Sequence, residues 1–183
     1  MNIKRGPWTV TSSEIKYKNP WIEVREDAVI RPDGKPGIFG VTEIQGGVNV
    51  LPYDDEGNVY LIEEYQYAME QRGIEVPGGG IDGTETTLEA AQRELSEEVG
   101  LTSSQWTDLG AIDPLSVLVR SRQYLYLARG LRKGDTSHEG TETIKLVKVP
   151  FGQAVDWVMD GTIKDPATIA LVLKTVLLLQ KEN

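Results

Sequence analysis

Glu94, Glu97 and Glu98 stand at i, i+3 and i+4 in the stretch GGGIDGTETTLEAAQRELSEEVGL, residues 78–101. On a helix that spacing crowds three carboxylates onto one face. Like charges at i, i+4 destabilise an isolated helix by roughly 0.2–0.5 kcal/mol per pair. They also lie near the helix C-terminus, where the macrodipole disfavours anions. A hard divalent cation held by oxygen ligands would offset both penalties. The alternative is a solvated acidic face, which helices commonly carry. Arg93 adjoins the cluster. It can pair with Glu89 or Glu97, each at i, i+4, or reach back to Glu85 at the loop–helix junction. It is either a surface ion pair, worth at most ~1 kcal/mol, or the brace that holds loop and acids in place.

The elements that must position these groups can be read around them. Thr86 followed by Glu89 has capping-box spacing. Leu88, Ala91, Leu95 and Val99 give one apolar stripe, and Gly100 falls where a left-handed C-cap belongs. A helix is therefore expected within 84–101. Upstream, EIKYKNPWIEVREDAVI and IFGVTEI read as strands separated by the turn RPDGKPG. GVNVLPY and VYLIEEY flank DDEGN, a hairpin turn by composition. GIEVPGGG reads as a short strand ending in a glycine loop. WTDLGAI, RQYLYLA and TETIKLVKV are further strands, the last preceded by the polar loop RKGDTSHEG. FGQAVDWVMD and PATIALVLKTVLLLQ read as helices, the second with proline in its first turn. Strands around one central helix, with helices at the end, predict a mixed-sheet α/β sandwich.

The 183 residues fit one compact domain with room for a small appended subdomain. The net charge of −9 argues against nucleic acid and anionic membrane as partners. A phosphate compound would need a cation to bridge two negative bodies. Without cysteine there are no disulfides, thiolate metal sites or cysteine nucleophiles. The start, MNIKRGPWTV, lacks the apolar run of a secretory signal. IALVLKTVLLL, interrupted by Lys174, is too short to span a bilayer and reads as a buried helix. A cytoplasmic protein is expected.

Gly79, five residues, Glu85, seven residues, Arg93-Glu94-Leu95, one residue, Glu97-Glu98, one residue and Gly100-Leu101 together resemble the Nudix box without a departure. Nine specified positions at fixed spacing are far more specific than a lone GxGxxG. The order of strands and helices is similar to the Nudix fold: an α/β/α sandwich with a mixed sheet, here with an N-terminal antiparallel strand subdomain. The resemblance implies a hydrolase that cleaves a diphosphate joining a nucleoside to a second group, with Mg²⁺ or Mn²⁺. It implies Glu94 and Glu98 as metal ligands, with Glu97 as a further ligand or as the group that orients a metal-bound water. It also implies a metal contact from the Gly78 carbonyl, with Gly79 and Glu85 shaping the loop.

Within the family, EYQYAMEQRGIEVPGGG, the segment NPWIEVREDAVIRPDGK before FGVTEI, and TIKDPATIALVLK resemble the ADP-ribose and nucleotide-sugar pyrophosphatases. That resemblance implies a subdomain over 1–45, a Nudix domain over 46–183, and a homodimer in which the N-terminal strands are exchanged. Trp21 and Phe39 take the places of base-stacking aromatics, with core or dimer packing as the alternative. A general base is implied on the loop before the late strand: Glu142 first, Glu139 second. His138, the sole histidine, either contacts phosphate or, as is commoner for a lone loop histidine, has no role in the site. Gln66 departs from the arginine that many relatives use for phosphate, with Arg72 nearby as a substitute. Pro114 lies slightly nearer the box than in strict ADP-ribose enzymes. Arg120 and Arg122 either bind phosphate or sugar, or face solvent. The substrate expected is ADP-ribose or another nucleoside diphosphate sugar such as GDP-mannose. The rivals are a nucleoside triphosphate or coenzyme A pyrophosphatase, and a non-catalytic sensing module.

Overall fold

The computed structural model describes residues 2–134 and 144–182. In chain order the elements are β1 (Ile3–Arg5), β2 (Trp8–Lys18), β3 (Ile22–Ile30), β4 (Pro36–Ile44), β5 (Gly47–Pro52), β6 (Asn58–Gln66), β7 (Gln71–Glu75) and β8 (Gly78–Gly80). They continue with α1 (Thr87–Val99), β9 (Leu101–Ile112), β10 (Val119–Arg120), β11 (Gln123–Lys133), β12 (Lys145–Pro150), α2 (Phe151–Met159) and α3 (Pro166–Glu182).

The chain divides into two compact units. The first comprises Met1–Gln45 together with Asp113–Arg122. Its sheet has the order β1-β2-β3-β4-β10, antiparallel except where β10 lies parallel to β4. The return of 113–122 was not anticipated from the sequence. It is anchored by Thr42 N–H donating to the Leu118 carbonyl at 2.9 Å.

The second unit, Gly46–Ile112 with Gln123–Asn183, carries the box. Its larger sheet runs β8-β5-β11-β9 and is mixed: β5 and β11 are parallel, while β8 and β9 are antiparallel to their neighbours. A smaller sheet runs β12-β6-β7. The two-residue alternation of a strand sorts the core. Val48, Val50, Tyr126 and Ala128 pack with Ala90, Ala91, Leu95 and Val99 of α1. Leu51, Leu125 and Leu127 pack with Ala154 of α2 and Ala167, Leu171 and Val172 of α3. One helix on one face and two on the other make the α/β/α sandwich.

Three expectations need correction. The glycine run is not a loop: Gly78, Gly79 and Gly80 pair with Asn49, Val48 and Gly47 as β8. DDEGN does form a tight turn, with Gly57 at φ +81° and Asp54 N–H donating to the Asn58 carbonyl at 2.9 Å. Its flanking strands, however, meet at the Tyr53–Val59 bridge and then enter different sheets. The apolar C-terminal helix is buried along one face only: Leu171, Val172 and Thr175 are covered, while Leu173 and Leu177 are 39% and 59% exposed. Among the described residues, no helix is long and apolar enough to cross a membrane.

Candidate active site

The site starts with the cap of α1. Thr86 Oγ1 accepts from Glu89 N–H at 3.2 Å, and Glu89 Oε2 accepts from Thr86 N–H at 2.7 Å. This reciprocal pair satisfies two donors that an uncapped helix leaves orphaned. Gly100 ends the helix at φ +67°, and its N–H reaches the Leu95 and Ser96 carbonyls. The apolar stripe seats the helix on β5 and β11, which fixes the rotation of its acidic face.

Arg93 is the hub of that face. Its Nε and Nη2 donate to the two Glu85 oxygens at 3.3 and 2.8 Å. Nη2 also donates to the Gly80 carbonyl at 2.8 Å, and Nη1 reaches Glu94 at 2.6 Å and Glu97 at 3.1 Å. Glu85 in turn accepts from the Asp82 N–H at 2.6 Å. The guanidinium thus joins the loop, strand β8 and two helix acids, using the fixed fork of arginine. Hydrogen bonds from Arg93, then from the Asp82 backbone, hold Glu85 below the usual carboxylate range. The bond to Glu85 raises Arg93 further above its already high value. The alternative Glu89 partner is taken by the capping box instead.

Glu94 differs from its neighbours. It is 8% exposed and lies against β8. Burial pushes its carboxyl above the usual glutamate range, and the hydrogen bond from Arg93 only partly offsets this. A Cβ at Gly79 would stand 2.2 Å from Glu94 Oε1, so glycine there makes room for the carboxylate. Glu98 Oε2 accepts from Gly78 N–H at 2.7 Å. A Cβ at Gly78 would meet the Val48 carbonyl at 2.4 Å, so that glycine serves close strand packing. Glu97, 46% exposed along its side chain, faces solvent. Carboxylate oxygens are the donor type that Mg²⁺ and Mn²⁺ prefer, and a cation beside a desolvated carboxyl would favour its ionised form. The donor chemistry fits such an ion. Among the described residues, however, no three acidic or histidine side chains are already gathered into a ligand cluster.

The other sequence candidates fall as follows. Gln66 Nε2 donates to Glu75 Oε2 at 3.3 Å and passes over Gly73, where a Cβ would come within 2.4 Å. Arg72 is exposed on β7, opposite Tyr65. In the first unit, Trp21 is 73% exposed in the β2–β3 turn, and the Phe39 ring lies edge-on to Trp8 at 5.6 Å. Arg120 stands 3.7 Å from Glu43, and Arg122 pairs with Asp113 at 3.1 Å. Glu139, Glu142 and His138 lie outside the described residues. The structure adds Glu75, whose half-buried carboxyl is raised by burial and by the charge of Asp165. Its only sequence signal is an acid in an otherwise apolar strand end, GIEVP.

Comparison with known proteins places this arrangement. The model of the NUDIX domain matches residues 43–169. The chain belongs to the Nudix family. A second family model, the nucleoside diphosphate sugar hydrolase N-terminal domain, matches residues 8–42. This Nudix chain is 33% identical to an ADP-ribose pyrophosphatase of Mycobacterium tuberculosis, over 88% of this chain and 80% of that protein. It is 25% identical to an ADP-ribose pyrophosphatase of Bacillus subtilis, over 87% of each chain. A crystal structure of an ADP compounds hydrolase superposes with a TM-score of 0.86 at 19% identity, covering 99% of this chain and 98% of that one. At that identity the superposition speaks for the fold, which is the Nudix fold.

Proposed function

We propose that this chain hydrolyses the diphosphate of ADP-ribose or a related nucleoside diphosphate sugar, such as GDP-mannose, to a nucleoside monophosphate and a sugar phosphate. The observation that carries the reading is the Arg93 hub, which joins Glu85, the Gly80 carbonyl, Glu94 and Glu97 in one complete Nudix box. The similarity to an ADP-ribose pyrophosphatase over most of the chain supports the substrate class.

In this reading a bound Mg²⁺ or Mn²⁺ would supply neutralisation of the diphosphate charge and a more acidic water. Glu94 and Glu98 would hold the ion, Glu97 would be a further ligand or orient the water, and the Gly78 carbonyl on β8 would offer another ligand. Arg93 already holds Glu94 and Glu97 side by side, and Glu98 stands against the Gly78 N–H. Arg93 keeps the loop and the acids in register. Glu142, with Glu139 as second choice, takes the proton from the attacking water at its carboxylate. A base there needs no unusual pKa if the water is already acidified. Arg72, Arg120 and Gln66 contact the phosphates or the sugar, and Trp21 and Phe39 supply the aromatic surface for the base.

The strands of 1–45 form the dimer element, consistent with the exposure of Ile3, Ile15, Tyr17 and Ile38. The protein works in the cytoplasm on a small molecule, without nucleic acid or membrane as partner. A screen over ADP-ribose, GDP-mannose, UDP-glucose and NADH with Mg²⁺, scored by product identification, tests the substrate class. Release of no monophosphate from any of them would sink it.

A further inference from the structure

Strand β7 belongs to the small sheet and β8 to the larger one, so the chain must cross between them at Val76 and Pro77. A crossing leaves both ladders, and its polar groups need other partners. Both residues are buried. Pro77 has no N–H, and its carbonyl accepts from Val50 N–H at 2.9 Å. The Val76 N–H, in a residue 3% exposed, also needs a partner.

Its partner comes from the far end of the chain. Val76 N–H donates to Thr168 Oγ1 at 3.0 Å, across 92 residues. Thr168 is fully buried in the first turn of α3. Its own hydroxyl proton goes to Asp165 Oδ2 at 2.7 Å, and the same oxygen caps the helix by accepting Thr168 N–H at 2.7 Å. The order of donors is therefore fixed: Val76 N–H to the Thr168 oxygen, and the Thr168 proton to the Asp165 carboxylate. A chain ending on a charged acceptor is stronger and better aligned than a neutral one. One residue beyond Pro77, Gly78 N–H meets Glu98, and two residues further the Gly80 carbonyl meets Arg93.

We propose that Asp165 and Thr168 are positioning residues for the active site, a latch that sets β8 against the acidic face of α1. The proposal rests on the hydrolase reading given above for its kinetic consequence, though not for its structural one. Neither residue needs to touch substrate. They hold the backbone of Val76, and through the stiff Val76-Pro77-Gly78 link they set where the Gly78 and Gly80 backbone groups stand. Displacement of a catalytic array by about 1 Å can cost ~100-fold in rate, so a loosened crossing reaches kcat without a direct contact.

The test uses Thr168→Val, which keeps the shape and removes the hydroxyl, beside Thr168→Ser, which keeps the hydroxyl. Two readouts are taken: amide hydrogen exchange at Val76 and Gly78 by NMR, and kcat and KM with ADP-ribose and Mg²⁺. In Thr168→Val, exchange at both amides rises at least about tenfold, in line with local opening of a region whose bond is lost. Its kcat falls ~10- to 100-fold, with KM changed less than about threefold. Thr168→Ser stays near wild type in both. Unchanged exchange at Val76 and Gly78 in a folded Thr168→Val would overturn the latch. So would a Thr168→Ser as impaired as Thr168→Val, because packing and not the hydroxyl would then be at work. Should Thr168→Val fail to fold, Asp165→Asn is read the same way: weakening the charged end must raise exchange at Val76 or the latch is rejected. If the wild type hydrolyses none of the panel, the hydrolase reading fails, and the exchange arm still decides the latch.

Discussion

Replacing Arg93 with methionine removes the guanidinium while keeping most of the apolar stem. The cost can be assembled from the partners it leaves behind. Glu97 is half in solvent, so losing that pair costs no more than ~0.5 kcal/mol. Glu94 decides the total. Its side chain is 11% exposed, and Arg93 is the cation beside it. Breaking a buried pair by removing one partner costs roughly 3–5 kcal/mol. Arg93 is itself 28% exposed, which places the expected loss near the lower end, about 3 kcal/mol at pH 7.5.

The pH dependence of that loss has a definite sign. Burial already holds the folded Glu94 carboxyl above its unfolded value, so its ionised form costs stability. That cost is absent at low pH and grows as pH rises from the unfolded glutamate value through the raised folded one. Without Arg93 the folded value rises further and the cost grows. Glu85 adds a constant part over this range: Arg93 lowers it, and the stability this adds is fully present above the unfolded value and is lost only below it, as pH falls through the folded value. The gap between wild type and Arg93→Met is therefore widest at pH 7.5 and narrows toward pH 5. Urea unfolding in EDTA at several pH values measures it, with no divalent ion to stand in for the guanidinium. A gap below ~1 kcal/mol at pH 7.5, or one that does not shrink with acid, would refute the reasoning that a buried Glu94 depends on Arg93.

Other outcomes follow from the same geometry. Gly79→Ala drives a methyl toward Glu94 Oε1, which Arg93 and burial hold in place, so thermal or urea unfolding should show a loss of about 1–3 kcal/mol. Turnover in that variant should fall ~100-fold. Thr86→Ala opens the capping box and should cost ~1 kcal/mol, seen as a Tm lower by about 2–4 °C. Glu98→Gln can still accept from Gly78 N–H, so its Tm should stay within a few degrees of wild type. Its turnover should drop by about 10²-fold or more, a split that a purely structural glutamate would not give.

Helix α1 was legible in the sequence because its signals are local: a capping pair three residues apart, a stripe of four apolar residues and a terminal glycine. The strands of the sandwich were legible through short apolar runs bounded by turn residues, which are local signals too. Features that depend on distant partners were not. Gly78–Gly80 has no strand propensity; it is a strand because β5 offers it a ladder and Glu94 needs the space a Cβ would fill. The DDEGN turn was readable, but the choice of different sheets for its two arms depends on β11 and β12, far along the chain. The three acids looked equivalent on a helical wheel. Only tertiary packing makes Glu94 buried, ties Glu98 to a backbone N–H and leaves Glu97 in solvent. Gln66 was matched to the phosphate-contacting position of relatives by its place in the sequence, and nothing in that place foretold its bond to Glu75.

The most direct test of the central claim sets wild type beside Glu98→Gln, each with ADP-ribose and Mg²⁺, and identifies the products by chromatography. The account predicts AMP and ribose 5-phosphate in equal amounts from the wild type, abolished by EDTA and cut by about two orders of magnitude in the folded variant. AMP formation at wild-type rate by Glu98→Gln would contradict it.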